Sequence, residues 1–282
     1  MIKPFLKDEE FLSDVAIARE DPEHLHIWWL GQSGFLIQYE GRHLLFDPYL
    51  SDSLTTKYAQ TDKPHVRITQ RVVAPERLDF VDLVTSSHNH TDHLDKETLG
   101  PLMEANPGMP LVIPEANRAF VVDRLGVEMS WPVGLDAGKS VKAGGFTVHA
   151  VPAAHNELET DAEGRHRFLG YVVEVGPFTV YHSGDTLRYD GMETWLQRWP
   201  VDIALLPING NLPERRVAGN LDGREAVVLG KDMGARMVIP CHYDMFEFNT
   251  VMPDDFIHAA RELDQPVKVL QNGERWSSRG LG

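Results

Sequence analysis

Residues Ser86 to Asp95 read SSHNHTDHLD, and the rest of the chain is best read outward from this stretch. Phe80 to Ser87 (FVDLVTSS) carries the apolar run of a mostly buried strand, so the polar cluster begins where a core strand ends. His88, His90, Asp92 and His93 then fall within six residues. Just past a strand, alternate residues such as His88 and His90 point the same way, and the turn that follows carries Asp92 and His93 toward a neighbouring point. One short segment thus offers donors to two cations. Imidazole nitrogen with carboxylate oxygen suits a divalent ion of the Zn, Mn or Fe type. Two such ions side by side need a shared anionic ligand to offset their repulsion. The plainer reading, a polar surface loop with a capping Asp and incidental His, does not account for four ligand-type residues packed so closely.

Further donors stand at the same kind of boundary. His155 in VPAAHN follows a strand expected over Phe146 to Pro152, and Asp185 in YHSGDT follows a hairpin of Phe168 to Val175 and Phe178 to His182. His242 in IPCHYD follows a strand over Arg236 to Pro240. Further strands are expected at His43 to Phe46, Pro110 to Pro114, Val201 to Pro207 and Val267 to Leu270, with His26 to Tyr39 as two strands or one bulged strand. Helices are expected over Glu115 to Leu125, Asp222 to Met233 and Asp254 to Leu263, the second with Asp222 and Glu225 as a capping pair. Tyr49 to Leu78 reads as a long loop of the length that often carries function. The order of elements predicts one α/β domain over residues 1–282, sheets covered by helices, with the donors gathered at one edge.

With the HNHTDH run and the later His155, Asp185 and His242 in order, the chain resembles the metallo-β-lactamase superfamily, whose H-x-H-x-D-H signature it matches at His88 to His93. Within it the chain looks like the L-ascorbate-6-phosphate lactonase-like branch, through WWLGQSGFLI at Trp28 to Ile37, SSHNHTDHLD, YHSGDT and VIPCHYDMF. The likeness runs from about Trp28 to Trp276. It implies a four-layer αββα sandwich holding two divalent metal ions, Zn or Mn first and Fe third. His88, His90 and His155 would hold one ion, Asp92, His93 and His242 the other, and Asp185 would bridge them. Asp185 stands where zinc β-lactamases of the cysteine type carry Cys, which argues against antibiotic hydrolysis. His90 stands where flavo-diiron relatives carry Glu, which argues against an oxygen-reducing site.

Other residues near these motifs have weaker standing. Asp47, before Pro48 at a strand end, is a candidate acceptor behind a ligating His, or a plain Asp-Pro turn. His182 either orients the carboxylate of Asp185 or is a satisfied strand-end residue. Cys241 adjoins His242 but faces the other way along a strand, which predicts a buried inert thiol. Trp28 and Trp29 read as core. Candidate anion-binding residues are Asn209, Arg215, Arg216 and Asn220, or Lys57, Arg67 and Arg71 in the earlier loop, and for all of them solvated surface polarity is the competing reading.

The chain's 282 residues hold 42 Asp plus Glu against 27 Lys plus Arg, a formal charge of −15 that repels polyphosphate and anionic lipid. No nucleic-acid or membrane partner is expected. One Cys and no window approaching about 18 consecutive apolar residues predict a reducing, cytoplasmic setting. The expected activity is metal-dependent hydrolysis of a small, anionic ester, a lactone or phosphorylated sugar-acid lactone. A water bridging two cations would lose its proton near neutral pH, and Asp92 would orient it or carry its proton. The alternatives are hydrolysis of a small phosphodiester or a phospholipid, and a noncatalytic metal-binding sensor. Likeness to the lactonase branch also predicts a homo-oligomer.

Overall fold

A computed structural model describes residues 1–281 and forms two sheets between helices. In chain order the elements are α1 (Glu9–Ala18), β1 (His26–Gly31), β2 (Gly34–Tyr39), β3 (Arg42–Phe46), α2 (Ser53–Tyr58), β4 (Leu83–Thr85), α3 (Lys96–Ala105), β5 (Leu111–Pro114), α4 (Arg118–Leu125) and β6 (Val133–Leu135). There follow β7 (Ser140–Ala143), β8 (Phe146–Pro152), β9 (Leu169–Val175), β10 (Phe178–His182), α5 (Met192–Leu196), β11 (Ile203–Pro207), α6 (Gly223–Asp232), β12 (Met237–Cys241), α7 (Asp254–Leu263) and β13 (Arg275–Ser277). One sheet runs β13-β1-β2-β3-β4-β5-β6, the other β12-β11-β10-β9-β8-β7. This is the expected αββα arrangement.

Strand side chains alternate between faces, and both faces of each sheet are covered, which is why these strands read as nearly unbroken apolar runs. Ile27 and Trp29 join the core between the sheets, with Phe35, Phe46, Tyr171 and Leu205. Trp28 and Leu30 face the other way, packing with Phe11 and Val15 of α1 and Leu99 and Leu102 of α3. Trp28 and Trp29 are thus both core, as expected, but in different layers. Behind the second sheet lie α6 and α7, α6 opened by the predicted capping box between Asp222 and Glu225.

Several expectations are corrected. The stretch Tyr49–Leu78 contains α2 and a 3-10 turn at Pro75–Arg77 rather than loop alone. Residues 267–270 make an isolated bridge, Val238 to Val267, and the chain's last strand is β13, antiparallel to β1. The helix expected over Glu115 to Leu125 begins as a 3-10 turn and becomes α-helical at Arg118, ending at left-handed Gly126. Helix α3, absent from the sequence reading, contains Gly100 and Pro101, which look like breakers. Burial of Leu99 and Leu102 and the Asp95 N-cap outweigh them. Among the described residues no helix is long and apolar enough to cross a membrane.

The topology brings the polar strand ends together. β3 and β4 run parallel, as do β10, β11 and β12. Their carboxyl ends lead into Asp47, the Ser86–His93 loop, Asp185 and His242 at one edge of the sandwich.

Candidate metal centre

The loop after β4 is wound into a tight turn in which His93 N and Leu94 N both donate to His90 O. Arg124 of α4 pins it from outside, donating through Nη1 to Asn89 O at 2.8 Å and Leu94 O at 3.1 Å. Gly184, in the loop after β10, packs against it. Gly184 has φ 59°, and a Cβ there would lie 2.6 Å from Ser87 Cβ, so only glycine brings the SGDT turn this close.

Four side chains from the loop, His88, His90, Asp92 and His93, and one each from beyond β8 and β12, His155 and His242, then gather around Asp185. Its Oδ1 is 3.4 Å from His93 Nε2, and its Oδ2 is 3.6 Å from His155 Nε2 and 3.4 Å from His242 Nε2. His88, His90 and His155 bring one donor atom each within 4.8 Å of one another, and so do Asp92, His93 and His242. Six of the seven expected ligand residues are therefore gathered in two groups, and the carboxylate of the seventh, Asp185, lies 3.4–3.6 Å from members of both.

The imidazoles are oriented by their far nitrogens. His93 Nδ1 donates to Asp47 Oδ2 at 2.7 Å, His155 Nδ1 to Gly219 O at 2.9 Å, and His88 Nδ1 lies 3.0 Å from Ser87 Oγ. This leaves Nε2 of His88 and of His93 buried without a hydrogen-bond partner. An orphaned buried ring nitrogen is costly unless something of opposite polarity meets it, so this donor set fits a cation. Burial pushes His88 and His155 below the usual imidazole range, so both present neutral lone pairs. Burial alone would do the same to His93, but the Asp185 and Asp92 carboxylates lift it well above that range. In turn His93 and His242 hold Asp185 far below the usual carboxylate range against the opposing effect of burial.

Asp47 also clusters with His88 and His93 as a possible donor group. Its oxygens, however, already accept from Ser87 N, Ser87 Oγ, Thr85 Oγ1 and His93 Nδ1. It therefore acts behind His93. His182 spends both ring nitrogens on the backbone, Nε2 on Ser33 O at 2.8 Å and Nδ1 on Gly184 N at 3.3 Å, and stacks on Phe46. It reaches Asp185 only through these two turns, and Ser33 Oγ is 3.4 Å from Asp185 Oδ1. Cys241 is buried, and burial raises its thiol well above the usual range, as an inert group requires. Gln32, Asp47 and His242 all adopt positive φ (50°, 38° and 64°), so the turns that place them carry backbone strain.

Five of the seven, His90, Asp92, His155, Asp185 and His242, line a cavity of about 450 Å³. Of the proposed anion-binding residues, Asn220 and Lys57 line it. Asn209 does not; it is buried beneath, accepting from Asn220 Nδ2 at 3.0 Å. Arg215 turns away onto Asn209 O, Asn249 Oδ1 and Thr250 O, and Arg216 pairs with Asp62. Arg67 is buried against backbone carbonyls, and Arg71 donates to Leu50 O. Unforeseen from sequence are Gln32, Arg124, Asn249 and an aromatic wall in which His65 stacks 4.2 Å from Tyr58 and meets Phe248 edge-on at 4.6 Å. Gln32 alone had a signal, its place in the WWLGQSGFLI motif; Arg124 lies on α4 and Tyr58 ends α2, where helical pattern says nothing of a cavity, and the rest come from loops.

The sequence model of the family described as "Beta-lactamase superfamily domain" matches residues 42–243. A UPF0173 metal-dependent hydrolase from Carboxydothermus hydrogenoformans is 29% identical over 254 residues, 89% of this chain and 98% of that protein. A metallo hydrolase from the archaeon Ignicoccus hospitalis superposes with a TM-score of 0.65 at 21% identity, over 90% of this chain and 98% of its own. An isothiocyanate hydrolase from Delia radicum gut bacteria superposes with a TM-score of 0.69 at 20% identity, over 89% of this chain and 98% of its own.

Proposed function

Since this chain belongs to the beta-lactamase superfamily domain family, we propose that it is a metal-dependent hydrolase that opens a small anionic ester, a lactone or phosphorylated sugar-acid lactone. The observation that carries the reading is the pair of Nε2 atoms, on His88 and His93, buried without hydrogen-bond partners in the cluster whose other members, His90, Asp92, His155, Asp185 and His242, line a cavity. In this reading His88, His90 and His155 would hold one divalent cation and Asp92, His93 and His242 a second, with the Asp185 carboxylate available to both groups. Such ions, when bound, lower the pKa of a water and polarise the scissile carbonyl. Zn and Mn suit the donors best, with Fe also accommodated.

The chain's own residues do the rest. Asp92 lines the cavity, and in this reading its carboxylate orients the attacking water and carries its proton. Water adds across the acyl C–O bond, its oxygen to the carbonyl carbon and its proton to the leaving alkoxide. Lys57 and Arg124, both at the cavity wall, supply positive charge for an anionic group, and Asn220 and Asn249 supply amides. The Tyr58–His65–Phe248 wall gives the flat face of a ring something to stack on. The −15 charge of the whole chain favours a small anion over a polyanion.

The test is turnover by metal-loaded protein on a lactone panel beside bis-p-nitrophenyl phosphate. Lactone turnover that His90→Ala nearly abolishes is the expected result. Faster cleavage of the phosphodiester than of every lactone would replace the ester reading with a phosphodiesterase. Two bound metals without any hydrolysis would replace it with a metal-binding sensor.

A further inference from the structure

We propose that Gln32 contributes its carboxamide oxygen to the cation site formed by Asp92, His93 and His242, an inference that rests on the reading of that trio as such a site. Gln32 sits in the turn between β1 and β2, and its main chain is held on two sides. Its carbonyl oxygen accepts from Trp29 Nε1 and from His242 N, each at 2.9 Å. From this fixed base the buried side chain reaches across to the trio. Gln32 Nε2 donates to Asp92 Oδ2 at 2.8 Å and lies 3.0 Å from His242 Nε2.

The end of the carboxamide therefore stands where two of the three donors converge. The Asp92 oxygen and the His242 lone pair that meet its N–H are the same ones a cation would use. An N–H and a cation repel, so the two can share this point only if the carboxamide turns over. A half-turn of the amide plane exchanges Nε2 with Oε1 and leaves the backbone where it is. Oε1 is buried with no hydrogen-bond partner, a costly condition for an acceptor that a neighbouring cation relieves. An amide oxygen is a hard donor, which suits Mn better than Zn.

The experiment is calorimetric titration of the chelator-stripped full chain with MnCl2 and, separately, with ZnCl2. Wild type is expected to take up two ions. Gln32→Leu should bind the second about ten-fold more weakly with the first unaffected, more so for Mn than for Zn. Gln32→Glu, which restores an oxygen and adds charge, should bind the second ion more tightly than wild type. Wild-type affinity or better for both ions in Gln32→Leu overturns the proposal, because the amide is then a bystander or an obstacle. If circular dichroism shows Gln32→Leu unfolded, Gln32→Glu decides alone: a tighter second ion supports the proposal and a weaker or unchanged one overturns it. Uptake of fewer than two ions by wild type overturns both the trio reading and this inference. Ester hydrolysis is not read in this titration, so failure of the hydrolase proposal leaves the result standing.

Discussion

Replacing Asp47 with Asn changes almost no volume, yet it should disable His93 as a ligand. The carboxylate accepts from Thr85 Oγ1 at 3.1 Å and Ser87 N at 3.0 Å through Oδ1, and from His93 Nδ1 at 2.7 Å through Oδ2. An asparagine keeps one oxygen for Thr85 and Ser87 and turns its NH2 toward His93. A donor there needs a lone pair, so His93 Nδ1 becomes the acceptor and the ring proton moves to Nε2. That atom is the one 3.4 Å from Asp185 Oδ1 and within the Asp92–His93–His242 trio. In the ligating tautomer the variant therefore lacks the hydrogen bond that the Asp47 carboxylate accepts from His93 in wild type, a bond to a charged group worth about 1.5–3 kcal/mol. At about 1.4 kcal/mol per factor of ten, second-ion affinity falls roughly 10- to 100-fold. Calorimetric metal titration reads the loss, and imidazole 15N shifts report which nitrogen carries the proton. Second-ion affinity within about two-fold of wild type in a folded Asp47→Asn variant would refute this account of His93.

Two further outcomes concern stability. His43 is buried and donates to Gln38 Oε1, and burial, with the nearby Arg19 charge, pushes its imidazole down to about 4. Between about pH 6.5 and 4 the unfolded chain therefore binds a proton that the folded one does not, so stability is full above that window and drains as pH falls through it. Urea unfolding should show about 2 kcal/mol more loss between pH 7 and 5 in wild type than in His43→Gln; equal losses would mean His43 is not the group responsible. The second outcome is at Gly230 inside α6, where a Cβ would stand 2.3 Å from Val238 Cγ2 of β12. Gly→Ala in a helix ordinarily gains about 1 kcal/mol, but overpacking here costs about 1–3 kcal/mol. Gly230→Ala should melt a few degrees lower at about 2–4 °C per kcal/mol, and a higher melting temperature would show that α6 and β12 have room between them.

Much of the framework is readable along the chain because the cues are local. Apolar runs that stop at HNHTDH, HN, SGDT and CHYD mark strands whose ends carry donors, and those strands and donors are where the structure has them. Where cues are short or contradictory, the reading fails. β13 is three residues long and exists through its pairing with β1, some 250 residues earlier. α3 is held by its cap and two buried leucines against the local advice of Gly100 and Pro101.

The sequence by itself determined the chemistry of this protein: which donors, in which order, at the ends of which strands. That follows because ligand type and strand periodicity are properties of neighbouring residues. The tertiary structure alone decided what surrounds those donors. Arg215 and Arg216 look like anion binders in the chain, yet in the fold both are taken up by partners away from the cavity floor. Gln32, Lys57, His65, Arg124 and Phe248 come from four separate segments and meet only because parallel strands end at one edge and the neighbouring loops and helices fold over it. Side-chain direction in such loops is set by contacts between distant segments, and no periodicity along the chain records it.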